Sequence, residues 1–236
     1  MRSLPAAKIA GINRVQWDLR YAPSNEIRLR TPPIYGSWMR VPEEGRPAGD
    51  RIELLAPPGV YTVKLSVGGQ DYTQKLTVIK DPHSAGAEAD IRSQFTFLLS
   101  LRDSLNAAGE MVNRVELIRR QLESIAEVKP QAGDLDRTLI SFEENLQQLR
   151  LTGGQDGMRW PAQLIPKLTH IASELQDADF APTSQQIAVN QQLVQQIKGL
   201  RTRFDQLMKK DVADFDTLLK QQGLPGLDLK IADARN

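Results

Sequence analysis

The stretch from residue 59 to residue 80, GVYTVKLSVGGQDYTQKLTVIK, contains two alternating apolar and polar runs on either side of a two-glycine turn. Alternation with a period of two places successive side chains on opposite faces of a β-strand. Gly68 and Gly69 can both adopt the positive φ that a type I′ turn requires. The stretch therefore predicts a β-hairpin with one apolar face. The residues of that face are Tyr61, Val63, Leu65, Val67, Tyr72, Leu76 and Val78.

Shorter strand candidates precede the hairpin at residues 13–21, 27–29 and 51–55. Residues 31–50 contain four prolines and three glycines, which predicts an irregular connection. Several short strands separated by such turns are typical of an antiparallel immunoglobulin-like (Ig-like) β-sandwich, which we predict for residues 1–82. About 70 residues are few for a sandwich, so we expect one edge to pack against the helices or against a missing partner.

The remainder of the chain has apolar residues at helical spacing. A first helix is predicted over residues 87–128, with apolar positions three and four residues apart as in a coiled-coil seam. Pro130 and Gly133 are expected to end this helix. The later helices are predicted at residues 135–149, at residues 164–175 and from Thr183 or Ser184 onward, where a hydroxyl side chain can cap the helix.

The helix lengths constrain how the helices pack. At 1.5 Å per residue the first and last helices are each roughly 55–60 Å long, and the two short ones together cover about 50 Å. We therefore predict an elongated antiparallel three-helix-type bundle over residues 87–226, with a middle helix broken near residues 151–159. The predicted fold class is α+β, with the β-sandwich and the helical bundle segregated along the chain.

Composition excludes several classes of function. The net charge is +1, so nothing in the overall charge favours nucleic acid as a partner. No apolar run approaches the roughly 18–20 residues of a membrane-spanning helix. The chain has no cysteine, which excludes thiolate zinc sites and cysteine nucleophiles. Its only two histidines are His83 and His170. Neither a phosphate loop nor a nucleophile elbow is present. We predict no catalytic residue, no cofactor, no metal site, no nucleic-acid partner and no membrane span.

Several of these segments carry a family resemblance. GINRVQWDLRY at 11–21 and PPGVYTVKLSVGGQDYTQKLTVIKDPH at 57–83 resemble the region after the propeller in large bacterial BNR-repeat, sortilin-like proteins, which are often labelled glycosyl hydrolases. APTSQQ at 181–186 and DVADFDTLLKQQGLPGLDL at 211–229 resemble the end of that family. This chain has His83 where the family usually has arginine, and Asp216 where the family often has asparagine.

The resemblance extends over nearly the whole chain, from Gly11 to Leu229, but the aspartate-box repeats of a propeller are absent. It implies that the chain is a C-terminal region of a larger extracytoplasmic protein, either periplasmic or secreted. Any active site on the propeller would then lie outside this sequence. The implied partner is the missing N-terminal propeller or another protein, with a homo-oligomer as an alternative.

Aromatic residues provide the candidate contact residues. Tyr35 and Trp38 lie in the loop rich in proline and glycine, where they are candidates for binding a ligand or a partner. Packing over the edge of the sandwich is the competing interpretation. Trp17 lies on the apolar side of its predicted strand, so we expect it in the core.

Charged residues and histidines have structural interpretations. We interpret Asp211, Asp214 and Asp216 as a solvated helix face, because no loop supplies the six to eight oxygens of a calcium site. His83 and His170 are expected to be structural. Basic and acidic residues alternate around residue 116, which predicts a salt-bridged helix surface. The residues of this predicted surface are Glu110, Arg114, Glu116, Arg119, Arg120 and Glu123.

Three functions remain open at this point. The first is a non-catalytic interaction module that docks, spaces or oligomerises a propeller protein. The second is a carbohydrate-binding module that uses Tyr35 and Trp38. The third is part of a glycoside hydrolase, which would need a cluster of acids that faces solvent.

Overall fold

The computed structural model describes residues 2–49, 51–126 and 130–229 of the 236-residue chain. Within these residues, short strands precede the helices along the chain, and the predicted α+β class is confirmed. The strands form two separate antiparallel pairs, and the Ig-like sandwich stays a prediction. The strands are β1 (Arg28–Leu29), β2 (Arg46–Pro47), β3 (Gly59–Val67) and β4 (Gln70–Val78), and the helices are α1 (Glu88–Ala126), α2 (Pro130–Glu143), α3 (Leu164–Gln176), α4 (Ser184–Leu207) and α5 (Ala213–Gln221).

The predicted hairpin is confirmed, including its turn. β3 and β4 pair in antiparallel register from Gly59 opposite Val78 to Val67 opposite Gln70. The two connecting glycines, Gly68 and Gly69, have φ values of 58° and 78°. Positive φ at both positions is the conformation of a type I′ turn, and glycine adopts it without steric cost.

Short extended segments within residues 20–31 and 51–56 pair with each other and pack against the helices. The backbone N–H of Tyr21 donates to the Leu54 carbonyl at 2.8 Å, and that of Ser24 donates to the Ile52 carbonyl at 2.9 Å. The buried side chains of these segments belong to the same hydrophobic core as the helices. Gly109 in α1 makes this approach possible, because a Cβ there would lie 2.8 Å from Cγ1 of Ile27. The buried apolar residues that these segments contribute to this core are Ile27, Leu29, Ile52 and Leu54.

The half-buried strand predicted over residues 13–21 is wrong for most of its length. Only Arg20 forms a β-bridge, with Leu55, and Val15 and Leu19 are exposed. The Asp18 side chain accepts a hydrogen bond from the backbone N–H of Arg20 at 3.0 Å, and Leu19 has a φ of 58°. This local turn breaks the alternation, because a residue in the left-handed region cannot continue a strand.

The long helix α1 is the centre of the helical part. It packs against α2, α3 and α4, and its buried stripe extends from Leu98 to Leu122. Pro130 and Gly133 lie inside α2, so α2 begins earlier than the sequence pattern predicts. Proline is tolerated in the first turn of a helix, where its missing N–H would have no helical partner. The predicted end of the first helix at Val128 lies outside the described residues.

The last predicted helix is divided in the structure. A π-helical turn, Met208–Val212, separates α4 from α5. A π-turn has one extra residue, which moves the side chains after it around the helix axis. Val212 at the end of the π-turn and Phe215 after it are both buried, so the apolar stripe continues onto the core despite the extra residue.

The helix start predicted at Thr183 or Ser184 is confirmed, with Thr183 as the cap. The Thr183 hydroxyl accepts from the backbone N–H of Gln186 at 3.2 Å, and the Gln186 side chain accepts from the backbone N–H of Thr183 at 2.9 Å. These two reciprocal bonds form a capping box, which satisfies backbone donors that have no partner within the helix.

Removal of this cap should destabilise the protein measurably. Thr183→Ala is expected to lower the free energy of unfolding by about 1 kcal/mol. Urea titrations followed by circular dichroism would measure this loss. The control is Ser184→Ala in the next, exposed position, with an expected change below about 0.5 kcal/mol. Equal effects of the two variants would contradict the assignment of Thr183 as the cap.

Candidate functional site

The apolar face of the hairpin is exposed to solvent. Val63, Leu65 and Tyr72 are 50%, 52% and 54% exposed, although their alternation predicts a buried face. An isolated two-stranded hairpin is marginally stable in water, and a sheet normally covers such a face with a second layer. Contiguous exposed apolar residues of this kind mark interaction surfaces in soluble proteins. We name this surface the hairpin face and define it as Tyr61, Val63, Leu65, Val67, Tyr72, Leu76 and Val78.

The base of the hairpin face is anchored by aromatic residues. The Trp17 ring lies edge-on to Tyr61 with 5.4 Å between ring centroids, and Tyr21 lies between Tyr61 and Phe95 of α1. Burial raises the pKa of Tyr61 to about 12, and its hydroxyl donates to the Pro57 carbonyl at 2.6 Å. The hairpin is therefore fixed to α1 at its base, while its distal half extends into solvent.

Both outer edges of the hairpin are also open. Among the described residues, the backbone of β3 and β4 makes hydrogen bonds only across the hairpin itself. A two-residue turn makes Val67 and Gln70 the first hydrogen-bonded pair, and along an antiparallel ladder hydrogen-bonded pairs alternate with pairs that make no bond to each other. Residues of the second kind of pair point their backbone N–H and C=O groups away from the partner strand. On β4 these residues are Asp71, Thr73 and Lys75. Such an edge is a template for pairing with another strand.

The polar face of the hairpin has an ordered set of charges. Lys64 forms an ion pair with Asp71 at 2.8 Å, and the Ser66 hydroxyl donates to the same carboxylate at 2.5 Å. These two donors, Lys64 first, lower the pKa of Asp71 below its ordinary value. Lys75 donates to the Thr62 hydroxyl at 2.8 Å and has no carboxylate partner among the residues that the structure describes. The β4 edge therefore has one carboxylate and one lysine that can accept a further partner.

One of the two loop aromatics, Tyr35, contacts an aromatic residue that the sequence interpretation did not include. Tyr35 packs against Trp160 with 5.8 Å between ring centroids. The guanidinium carbons of Arg150 and Arg159 lie 4.9 Å and 5.2 Å from the centroid of the Trp160 ring. These contacts occupy the Trp160 ring by cation–π interaction. Trp38, which is 76% exposed, is the aromatic residue of this loop with the largest free surface.

The structure also contains a group of charged residues, which we name the buried charge cluster: the buried residues Glu116, Arg119 and Glu143, and the half-buried Asp136. Arg119 donates to Glu116 at 2.7 Å, to Glu143 at 3.0 Å and to Asp136 at 3.0 Å. Glu116 also accepts from the backbone N–H and the hydroxyl of Thr31 at 2.7 Å and 2.8 Å. The cluster therefore joins α1, α2 and the segment after β1.

Burial decides the electrostatics of this cluster. Burial and the neighbouring Glu116 carboxylate raise the pKa of Glu143 well above its ordinary value, and Arg119 only partly opposes this. Burial lowers the pKa of Arg119, but the carboxylates of Glu143, Glu116 and Asp136 outweigh burial and raise it. The prediction of a salt-bridged surface is wrong for Glu116 and Arg119, which are buried. It holds for the exposed pair Arg120–Glu123.

The other candidate residues make local contacts in the described structure. His170 is exposed near Glu174, and the backbone N–H of His83 donates to Asp81 in a turn. Asp216 accepts from Lys220 at 2.6 Å and from the backbone N–H of Leu227 at 2.8 Å, so it also holds the C-terminal segment against α5. Lys220, followed by the Leu227 N–H, lowers the pKa of Asp216.

A surface groove of about 620 Å³ lies between α2 and the end of α4. Asp134 and Arg137 on its wall form an ion pair with each other. Within residues 2–49, 51–126 and 130–229, no group of three or more His, Cys, Asp or Glu side chains is arranged to hold a metal ion. None of the described helices is both long and apolar enough to cross a membrane.

Comparisons with protein-family models, with curated proteins and with solved structures found no match to this chain. The resemblance to BNR-repeat, sortilin-like proteins therefore stays a prediction, as does the extracytoplasmic location that it implies.

Proposed function

We propose that this chain is a non-catalytic interaction module whose hairpin is the contact element for another protein. The observation that carries the proposal is the hairpin face, which is apolar, exposed and flanked by two open strand edges. Burial of such a face is favourable by roughly 25 cal/mol per Å². A partner that covers it would also give the hairpin the further strands that an isolated pair lacks.

The rest of the chain fits a docking and spacing role. The aromatic contacts of Trp17 and Tyr21 hold the base of the hairpin against α1, so that its distal half projects in a fixed direction. In the proposed assembly, the hairpin supplies one part of an Ig-like sandwich that other strands complete, and the helices form an elongated bundle that acts as a spacer. We further propose that the module belongs to an extracytoplasmic BNR-repeat, sortilin-like propeller protein.

Site-specific photocrosslinking tests the contact element. A photoreactive phenylalanine analogue would replace Leu65 on the hairpin face in one variant and the exposed Gln192 on α4 in a matched control. The variants would be produced in the native host and irradiated. We expect the Leu65 position to give a discrete covalent adduct with a protein that contains β-strands, identified by mass spectrometry. Equal adduct formation at both positions would refute the hairpin as the contact element.

A carbohydrate-binding function is the second candidate, and the exposure of Trp38 is the observation that favours it. Exposed tryptophan rings offer an apolar surface with a polar edge, which suits sugar rings. This function predicts glycan binding on an array that Trp38→Ala abolishes while the circular dichroism spectrum is unchanged. Absence of binding by the unaltered protein would eliminate this candidate and leave the interaction module.

A further inference from the structure

The open edge of β4 is complementary to itself. We propose that the hairpin pairs with a second copy of this chain along β4, as an antiparallel dimer with Thr73 at the two-fold axis. This inference rests on the proposed function, because it assumes that the hairpin is the contact element, and it specifies the partner and the register.

The backbone geometry of β4 allows this pairing. Asp71, Thr73 and Lys75 point their N–H and C=O groups outward, as derived above from the hairpin register. In an antiparallel two-fold arrangement centred on Thr73, each of these residues lies opposite an outward-pointing residue of the other copy. Hydrogen-bonded pairs then form between two strands that have identical sequences, which is the isologous contact of a symmetric dimer.

The charges of the edge select this register. Centring on Thr73 places Asp71 opposite the partner's Lys75, and the same pair repeats on the other side of the axis. Lys64 lies 2.8 Å from Asp71 within one hairpin, so each Asp71 would lie between two lysines of different copies. Thr73 lies opposite the partner's Thr73, and both threonine pairs and opposite charges are favourable across antiparallel strands.

The apolar side of the hairpin agrees with this register. Tyr72 lies diagonally across the seam from the partner's Tyr72 and the partner's Leu76, within reach of a large aromatic side chain. Tyr72 is exposed in the single chain, so this contact would remove apolar surface from water. The two hairpins together form a four-stranded sheet, which passes the size at which a sheet becomes independently stable.

The outer edge of β3 lacks this complementarity. Its outward-pointing residues include Lys64 as the one charged residue and no carboxylate, so no register of β3 with itself forms an ion pair. Lys64 would meet no carboxylate of another copy in such a pairing, and a lysine in that position on an open edge disfavours strand addition. The proposed assembly is therefore a closed dimer with β3 at both rims. A contact along one edge is small compared with stable interfaces, so the dimer is expected to form in a concentration-dependent manner.

Charge exchange tests the register. The molar mass of the full chain would be measured by sedimentation equilibrium from low micromolar to near millimolar concentration. We expect a monomer–dimer equilibrium for the unaltered chain. Asp71→Lys and Lys75→Asp should each weaken the dimer by about tenfold or more, because each variant puts like charges opposite each other at two places. An equimolar mixture of the two variants should restore a dimer, since every pair across the seam is then oppositely charged.

A control variant and the Leu65 crosslink distinguish failure of the β4 dimer from failure of the hairpin as the contact element. Val60→Lys adds a lysine to the outer edge of β3 and should leave the dimer intact. A strict monomer, an open series of larger species, or a dimer that both charge variants leave unchanged would overturn the β4 register. The hairpin would still be the contact element if the Leu65 crosslink forms with a different protein. Circular dichroism of each variant would establish that the fold is unchanged.

Discussion

Replacement of Arg119 by alanine is expected to lower the free energy of unfolding by about 3–5 kcal/mol. Its guanidinium contacts Glu116, Glu143 and Asp136 inside the protein. Without it, carboxylates that are buried between α1 and α2 face each other with no cation between them. Removal of one partner from a buried ion pair lowers stability by much more than a surface ion pair adds to it. The reason is that the remaining charge is then buried away from water with no partner. Urea unfolding followed by circular dichroism at neutral pH would measure the loss.

The neighbouring residue provides a matched control for this prediction. Arg120→Ala removes an arginine from the same helix, but its ion pair with Glu123 is exposed, so we expect a change below about 0.5 kcal/mol. A second variant separates charge from packing: Arg119→Met combined with Glu143→Leu should recover part of the loss. It fills the space of both side chains with apolar groups and removes the buried carboxyl group that would otherwise face Glu116. Equal unfolding free energies for Arg119→Ala and Arg120→Ala would contradict the buried charge cluster.

Glu143→Gln is expected to change the pH dependence of stability. The pKa of Glu143 is raised well above its ordinary value in the folded protein, so the folded state holds a proton that the unfolded state releases near pH 4.5. The contribution of Glu143 to stability is therefore fully present below that pH and is lost as the pH rises towards the folded-state pKa. The slope can reach about 1.4 kcal/mol per pH unit. Glutamine keeps the shape of the protonated side chain but does not titrate, so this variant should lose the slope.

The measurement compares the unfolding free energies of Glu143→Gln and of the unaltered protein between about pH 5 and pH 8. A carboxyl group whose pKa is raised in the folded state changes the stability in this range. We expect the stability of Glu143→Gln to rise relative to the unaltered protein as the pH increases. Other titrating groups contribute equally to both curves and cancel in the difference. Glu123→Gln, which removes an exposed carboxylate from α1, is the control for the change from glutamate to glutamine. Parallel curves for Glu143→Gln would exclude a raised pKa at this position.

The buried charge cluster and the hairpin face have complementary roles in the proposed module. The cluster fixes the segment after β1 to α1 through Thr31 and Glu116. The aromatic residues Tyr21 and Phe95 fix the base of the hairpin to the same helix. A projecting hairpin can serve as a contact element when its base is rigid, because little conformational freedom is then lost on binding. Variants of the cluster should therefore weaken association only as far as they unfold the chain.

Local features of this protein follow directly from its sequence. The hairpin register is determined by a two-glycine turn and by alternation on both sides of it, and these signals need no information from elsewhere in the chain. The same holds for the start of α4, where Thr183 and Gln186 form the cap within one turn. By contrast, residues 13–18 alternate like a strand but do not form one. Among the described residues none makes a backbone–backbone hydrogen bond with this segment, and Leu19, which follows it, adopts a positive φ.

The tertiary structure alone decided which faces are covered and which charges are buried. Val63 and Arg119 show both cases: an apolar alternating residue that is exposed, and a charged residue between other charges that is buried. Glu116 accepts hydrogen bonds from Thr31, which lies 85 residues earlier in the chain. Contacts between residues so far apart in sequence leave no local sequence pattern. Periodicity states which residues share a face, whereas burial depends on what other segments place against that face. For this reason the sequence determined the hairpin and the capped helix, and only the packed structure determined the exposed hairpin face and the buried charge cluster.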